Sequence, residues 1–354
     1  LKSQNQIVDI LQLKGPLILA PLAGGPSTPA LVAAVSNAGG LGSLGLAYET
    51  PEQISSIIKE TRKLTSKPFA VNLFVPTKDP DLLPEKTELA IKSTEKYRKE
   101  LGIPSPQLKA PYSIDFDQQF ESILRERPAV FSFTFGLLDH HYVEECRKNN
   151  IITCGTATTL EEGISLEETH VDWIVAQGIE AGGHRGIFSA SSEDQMIGLF
   201  PLTRSLTQKL RIPVISAGGI MDGAGIAAVL ALGAQAAQLG TAFLLCDEAG
   251  TSEPYRKALL DQKDRKTKTT RVFSGRIARG LENRFMKEME KDPDVILPFP
   301  AQNVFTRDIR KRSSELGISD FLSLWSGQGI DLIRQMKAEE LVSVLFEELK
   351  TYSA

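Results

Sequence analysis

The chain predicts an α/β fold, a (β/α)8 TIM barrel with an insertion after the third strand and a C-terminal extension packed on the barrel. Three observations predict it. Eight apolar runs alternate with helical patterns across residues 17–245. The runs are continuous rather than alternating, as expected of strands covered on both faces. Several end in glycine-rich turns, the place where such a barrel builds its site. Counting units leaves an open doubly wound sheet as the alternative. All 354 residues are read as a single domain, with a lid-like insertion over about 76–117 and the extension over about 250–354.

Residues 17–23, L-I-L-A-P-L-A, form the first run. The Gly24 to Pro29 stretch after it combines turn and helix-start signals. A helix over 30–38 closes at Gly39-Gly40, and 41–47 is the second strand. Thr50 before Pro51 reads as N-cap and first helical residue. The third strand, 69–75, carries one polar residue, Asn72. Residues 76–117 then turn polar and proline-containing, with a helix over 88–101. Long excursions after strands act as lids or binding elements, or merely decorate the surface. Strand four is 129–136, followed by a helix over 139–149. Strand five is 151–155, with a helix over 159–168. Strand six starts at Trp173, with a helix over 201–210 beyond a short polar insertion. Strand seven is 213–220, Asp222 begins an alanine-rich helix, and strand eight is 236–245. Beyond it, apolar spacing over 338–349 predicts an amphipathic helix packed on the barrel.

Composition narrows the function classes. Hydrophobic residues make up 42% and charged residues 24%, values of a soluble globular protein. Net charge is −4 with a pI of about 5.8 and no basic tract, which argues against nucleic acid or an anionic membrane as partner. Cys146, Cys154 and Cys246 are odd in number and widely spaced, so they suggest neither a metal nor a disulfide framework. They fit a reducing compartment, no segment is apolar enough to span a bilayer, and a cytoplasmic location is expected.

The stretch W-I-V-A-Q-G-I-E-A-G-G-H-R-G, 173–186, concentrates the chemistry. An apolar strand breaks at Gln177 into glycines at 178, 182, 183 and 186 that hold Glu180, His184 and Arg185. Glycine lets backbone approach a ligand. His184 is suited to proton transfer near neutrality, or is a structural or solvent-facing histidine. Glu180 anchors the loop. Arg185 attracts an anion or is simply solvated. The loops after strands seven and eight, Ala217-Gly218-Gly219-Ile220 and Gln238-Leu239-Gly240-Thr241, occupy the positions where barrels bind phosphate. Their backbone N–H groups and the Thr241 hydroxyl can meet phosphate oxygens, or they are ordinary tight turns. Asn72 and Gln177 can hydrogen-bond a heteroaromatic ring such as a flavin, or satisfy nearby backbone. His140, His141 and His170 read as capping, solvated or structural. Cys154 could face the site, or is a small buried hydrophobe.

Taken together, the motifs resemble those of nitronate monooxygenases, the family once called 2-nitropropane dioxygenases. The matching segments are A-P-L-A-G-G at 20–25, V-S-N-A-G-G-L-G-S-L at 35–44, N-L-F-V-P at 72–76, Q-G-I-E-A-G-G-H-R-G at 177–186, S-A-G-G-I at 216–220 and Q-L-G-T at 238–241. F-S-G-R-I-A-R-G-L-E-N-R-F at 273–285 and L-W-S-G-Q-G at 324–329 extend the match through the tail. The resemblance implies non-covalent FMN contacted by Asn72, Gln177, Gly182, Gly219 and the 238–241 turn. The segment Ala20, Pro21, Leu22 and Ala23 would pass near the flavin ring, and Gly183 and Gly218 belong to the same loops. It implies that His184 is the active-site histidine, and that an alkyl nitronate or nitroalkane reacts with O2 to give a carbonyl compound and nitrite. Propionate-3-nitronate is a candidate substrate, its carboxylate bound by Arg185 or a tail residue. One departure stands out. Many members carry S-F-H-F-G in strand four, whereas this chain has Thr134 at the histidine position, which bears on substrate range. The alternative function is an FMN-dependent NAD(P)H enoyl or quinone reductase on a similar barrel. A further alternative is a flavin-binding protein without catalysis.

Overall fold

The structure, a computed structural model, describes residues 5–191, 193–261 and 266–352. Its centre is a sheet of eight parallel strands: β1 (Leu17–Leu19), β2 (Gly42–Gly45), β3 (Phe69–Phe74), β4 (Val130–Thr134), β5 (Ile152–Ala157), β6 (Trp173–Gln177), β7 (Val214–Ala217) and β8 (Ala236–Leu239). Neighbours pair in sequence order from β2 to β8, and β8 pairs with β1. The ring closes where Leu19 N donates to Leu41 O and Leu41 N donates to Leu17 O, each at 2.9 Å. A closed barrel therefore replaces the open-sheet alternative.

Several strands are shorter than their apolar runs, the first and last most of all at their C-terminal ends. The first stops at Leu19 because Pro21 offers no N–H to a ladder and the chain then turns through Gly24 and Gly25 at positive φ. The last stops at Leu239, and Thr241–Phe243 forms a 3-10 turn instead.

Strand alternation sorts the core into two layers. Ile18, Ala70, Val130, Cys154, Val175 and Ile215 form a cluster closed by Ile7 and Leu11 of the N-terminal helix Gln6–Leu11. Leu17, Leu19, Val71, Phe131, Phe133 and Ile174 pack with the surrounding helices. Burying each such side chain contributes roughly 1.5–3 kcal/mol.

The helices are α1 (Pro29–Ala38), α2 (Pro51–Leu64), α3 (Phe116–Glu126), α4 (His140–Lys148), α5 (Leu160–Glu168), α6 (Leu199–Lys209), α7 (Gly223–Ala231) and α8 (Ala338–Lys350). Their starts follow the sequence signals. Thr50 and Gln53 form a reciprocal capping box before α2, with Pro51 in the first turn. Thr28, Asp139, Thr159 and Asp222 accept backbone N–H bonds at the starts of α1, α4, α5 and α7. Each such cap is worth about 1 kcal/mol. The tail helix α8 buries Ala338, Leu341, Val342 and Leu345 and packs on both α7 and α1. That is the place of a barrel's eighth helix, reached only after the long segment that follows β8.

The two long excursions meet. From the insertion after β3, the helix Pro84–Leu101 sends Tyr97 and Leu101 into one core with Val272, Phe273, Phe285, Met286 and Phe321 of the tail. Arg98 joins them. It is 2% exposed, grips Asp308 at 2.6 and 3.1 Å, and donates to the carbonyls of Phe305 and Pro104. A small antiparallel sheet, Thr267–Thr270, Ala278–Leu281 and Gly183–His184, ties the tail to the loop after β6. Among the described residues no helix is long and apolar enough to cross a membrane.

The Arg98 contacts predict an ordering. Arg98→Ala should lower unfolding free energy by about 2–3 kcal/mol, because it orphans the buried Phe305 carbonyl and removes the other Arg98 contacts. Asp308→Asn should cost about 1 kcal/mol or less, since Asp308 is 46% exposed and an exposed partner adds little. Urea denaturation of both variants checks this, and equal losses would contradict it.

Candidate active site

A cavity of about 810 Å³ opens at the C-terminal ends of the strands, beneath the tail. That volume suits a cofactor together with a small substrate. Of the residues singled out in the sequence, Ala20, Pro21, Leu22, Ala23, Asn72 and Gln177 line it. So do Gly182, Gly183, His184, Gly218, Gly219, Gln238, Gly240 and Thr241. Leu239 does not. Its side chain is buried in the outer core and its carbonyl accepts from Ala20 N at 2.8 Å. The alternation of a strand turns Gln238 inward and Leu239 outward.

The glycines form a cradle. Gly218 and Gly219 have φ of +135° and +67°, conformations that free backbone at a strand–helix turn and favour glycine. Gly183, with φ +74°, has nothing within 4 Å of where a Cβ would stand, so this part of the loop borders open space. Thr241 Oγ1 accepts from Gly327 N at 2.9 Å, which leaves its own proton for a ligand oxygen.

The tail motif L-W-S-G-Q-G seals this cradle. A Cβ on Gly182 would lie 2.5 Å from Gly327 N, and one on Gly329 would lie 2.7 Å from Gly219 O. Gln328 N donates to Glu180 O at 2.9 Å. Glycine is thus needed on both sides of a backbone-to-backbone contact.

The polar residues of the 173–186 stretch divide into structure and site. Gln177 satisfies nearby backbone, the second of its two expected roles. Its Nε2 donates to His184 O at 2.9 Å while its Oε1 accepts from Gly186 N at 2.7 Å; the second amide hydrogen is available to a ligand. Asn72 Nδ2 donates to Ser132 Oγ at 2.9 Å, with its amide likewise at the cavity wall. Glu180 anchors the loop as expected, accepting Leu199 N at 3.0 and 2.9 Å at the start of α6. Arg185 corrects both expectations. It is 1% exposed, paired with Asp194 at 2.8 Å and bonded to the carbonyls of Gln177 and Gly178. It neither attracts a ligand anion nor sits in solvent.

His184 is the histidine of the cavity wall. Its Nε2 lies 2.7 Å from Ser274 Oγ, and Phe135 and Trp325 flank the ring with centroids at 5.8 and 5.5 Å. Burial, then the Arg276 and Arg310 cations, push its pKa down to about 3, so the ring is neutral near pH 7. Arg276 is itself brought down to about 10 by burial. It donates to Ile187 O at 2.7 Å and lies over the Phe135 ring at 4.1 Å.

The remaining candidates lie elsewhere. His140 and His141 are exposed around the start of α4, and His170 stacks near His140. Cys154 is 2% exposed in the inner cluster, a buried hydrophobe rather than a site thiol. Thr134 does line the cavity, its hydroxyl 3.5 Å from that of Thr156.

Sequence reasoning missed the tail's contribution. Ser274, Arg276 and Trp325 lie within the tail motifs, where nothing local assigns them a role. Arg307, Arg310 and Lys311 share one face of the helix Arg307–Glu315 by their spacing. All three line the cavity, and among the described residues none has a carboxylate partner within salt-bridge distance. Arg310 Nη2 donates to Asn303 O and Oδ1 at 2.7 and 2.8 Å, and its Nη1 has no protein partner among those residues. Burial brings Arg310 down to about 10.

Comparison with known proteins agrees with this architecture. The family model described as nitronate monooxygenase matches residues 4–348. A nitronate monooxygenase of Paraburkholderia phytofirmans is 42% identical over 98% of this chain and 95% of its own. A probable nitronate monooxygenase of Staphylococcus saprophyticus is 39% identical over 97% and 96%. The solved structure of a nitroalkane oxidase from Streptomyces ansochromogenes is 38% identical, covers 98% of both chains and superposes with a TM-score of 0.92. On a match that runs through barrel and tail alike, the chain belongs to the nitronate monooxygenase family, a flavin-dependent family of oxidoreductases.

Proposed function

We propose that the protein oxidises alkyl nitronates, using non-covalent FMN and O2, to a carbonyl compound and nitrite. The observation that carries this is a neutral His184 on the wall of a glycine-cradled cavity large enough for a flavin and a small substrate. The Gly218–Gly219 and Gly240–Thr241 loops would hold the FMN phosphate, and Asn72, Gln177, Gly182 and the Ala20–Ala23 segment would border the ring. When bound, FMN supplies the one-electron exchange between nitronate and O2.

The chain's own groups position the substrate and handle its proton. A neutral nitroalkane must lose its Cα proton first, and His184 is the acceptor. Its depressed pKa makes it a weak base until the nitronate's negative charge offsets Arg276 and Arg310. A preformed nitronate avoids that step, which favours nitronates as the substrate class. The cavity wall of Phe74, Phe135 and Trp325 is apolar and keeps water from the reacting carbon.

The carboxylate of a substrate such as propionate-3-nitronate would meet Arg307, Arg310 and Lys311 rather than Arg185. A charge-assisted hydrogen bond to a buried guanidinium is a strong and directional contact.

Mixing the purified yellow protein anaerobically with a nitronate, and separately with NADH, tests the function. Loss of the flavin band with nitronate alone is expected. Loss with NADH alone would instead indicate the enoyl or quinone reductase. His184→Asn should lower kcat/KM on neutral nitroalkane about 10²–10⁴-fold and on preformed nitronate far less; equal losses would end the base role. In the unmodified enzyme, kcat/KM on neutral nitroalkane should show no acid limb at the ordinary histidine value of about 6.5, because His184 stays unprotonated well below it. Arg310→Gln should raise KM for propionate-3-nitronate roughly 10–100-fold, with little change for an alkyl nitronate lacking the carboxylate. Gly182→Ala should weaken FMN retention, read as the flavin lost on dialysis, because the new methyl displaces Gly327.

A further inference from the structure

We propose that Ser274 is a positioning residue that holds His184 in the tautomer protonated at Nε2, so that Nδ1 is the atom presented to the substrate proton. The inference rests on the reading of His184 as a proton acceptor, and it specifies which nitrogen acts and what sets it.

Hydrogen-bond accounting around one buried hydroxyl carries it. Ser274 is 1% exposed, and its Oγ has three neighbours: His184 Nε2 at 2.7 Å, Arg276 N at 3.2 Å and Arg276 O at 3.3 Å. A serine hydroxyl has one proton and two lone pairs. The Arg276 N–H takes one lone pair in any arrangement. If the serine proton goes to Arg276 O, the second lone pair accepts Nε2–H and every contact is satisfied. If the proton goes to Nε2 instead, the Arg276 carbonyl, inside a residue that is 4% exposed, loses its donor. No other donor to that carbonyl exists among the described residues. Buried polar groups are rarely left unpaired, so the first arrangement is the one the site selects.

The other ring nitrogen completes the picture. Among the described residues Nδ1 has no protein partner, and it is not among the fully enclosed unpartnered atoms, so it is open to the cavity that His184 lines. In the selected tautomer Nδ1 carries a lone pair. In the reaction with a neutral nitroalkane the Cα–H bond breaks, the proton bonds to Nδ1, and the electron pair stays on carbon and spreads into the nitro oxygens as the nitronate. The positive charge that forms on the ring stays bonded to Ser274 through Nε2–H, so the serine keeps the same contacts before and after transfer.

The geometry also explains why the tail must fold against the barrel for chemistry. Ser274 lies in the turn that leads into Ala278–Leu281, and that strand pairs with Gly183–His184, placing Ala278 opposite His184. The histidine comes from the barrel and the group that sets its tautomer comes from the tail.

Nitrogen-15 NMR of the FMN-loaded enzyme grown with labelled histidine reads the tautomer directly. The chain has four histidines, and the His184→Asn variant identifies the resonance. The expected spectrum has a protonated Nε2 and an unprotonated Nδ1. Ser274→Ala should move the ring toward the Nδ1-protonated form and lower kcat/KM on neutral nitroalkane about tenfold or more, since it leaves a buried N–H without an acceptor. Turnover of preformed nitronate should change little, and Ser274→Thr, which keeps the hydroxyl, should retain the wild-type tautomer. A wild-type ring protonated at Nδ1, or a Ser274→Ala enzyme with unchanged tautomer and unchanged substrate ratio, would overturn the proposal. The expected tautomer in an enzyme that turns over neither substrate would leave the Ser274 assignment standing and count against the nitronate function.

Discussion

The two-residue pairing of Gly183–His184 with Ala278–Arg279 is the contact on which the site depends. Without it, the glycine-rich stretch around Gly183 and His184 would have no ladder partner and more conformational entropy to lose. With it, the loop becomes the edge of a small sheet, and His184 acquires a fixed neighbour in Ser274. The same pairing pulls the tail across the mouth of the barrel, so that Ser326–Gly327 lies directly on Gly182. A cavity built this way has its floor from the strand ends and its roof from the tail, with Gly327 bonding Thr241 from 86 positions later in the chain.

Buried arginines hold this arrangement together, and backbone carbonyls satisfy most of their donors. Arg185 bonds the Gln177 and Gly178 carbonyls, Arg276 those of Ile187 and Phe188, and Arg98 those of Phe305 and Pro104. A planar guanidinium has five donors in a fixed fork and suits the ends of strands and helices, where carbonyls converge. Arg185 and Arg98 also have a carboxylate. Arg276 and Arg310 have none in contact, and their uncompensated charge reaches His184. Burial first, and then the cations that hold the cap together, keep the imidazole neutral.

The division of labour between barrel and tail has a further consequence. The barrel loops carry the glycines that can approach a phosphate, and the tail carries the charged residues that can sort substrates by their far end. The helix Arg307–Glu315 is bolted to the insertion after β3 through Arg98 and Asp308. Three cations on its cavity face are thus positioned by the insertion. Thr134 also lines the cavity, with an uncharged hydroxyl, so the cavity's charged lining comes from the tail.

Much was legible in the sequence because local rules governed it. Continuous apolar runs located all eight strands, Thr50-Pro51 and Asp222 marked helix starts, and the Gly-Gly and Gly-Thr breaks marked the loops that border the cavity. Those features depend on propensity, capping and the absence of Cβ, each readable within a few residues. Leu239 and Arg185 misled for a local reason as well: a strand alternates its faces, and a charged residue beside a histidine looks available until its partners are known. What the sequence by itself determined was therefore the barrel, its order and the glycine-lined end that holds the chemistry. Only tertiary structure decided that α8 completes the ring, that Arg185 is a buried strut, that Arg307, Arg310 and Lys311 face the cavity, and that Ser274 meets His184. Apart from Arg185, whose partners Asp194, Gln177 and Gly178 lie within nine residues, those outcomes depend on contacts between segments about 90 or more residues apart, and long-range packing leaves no periodic or local trace in either segment.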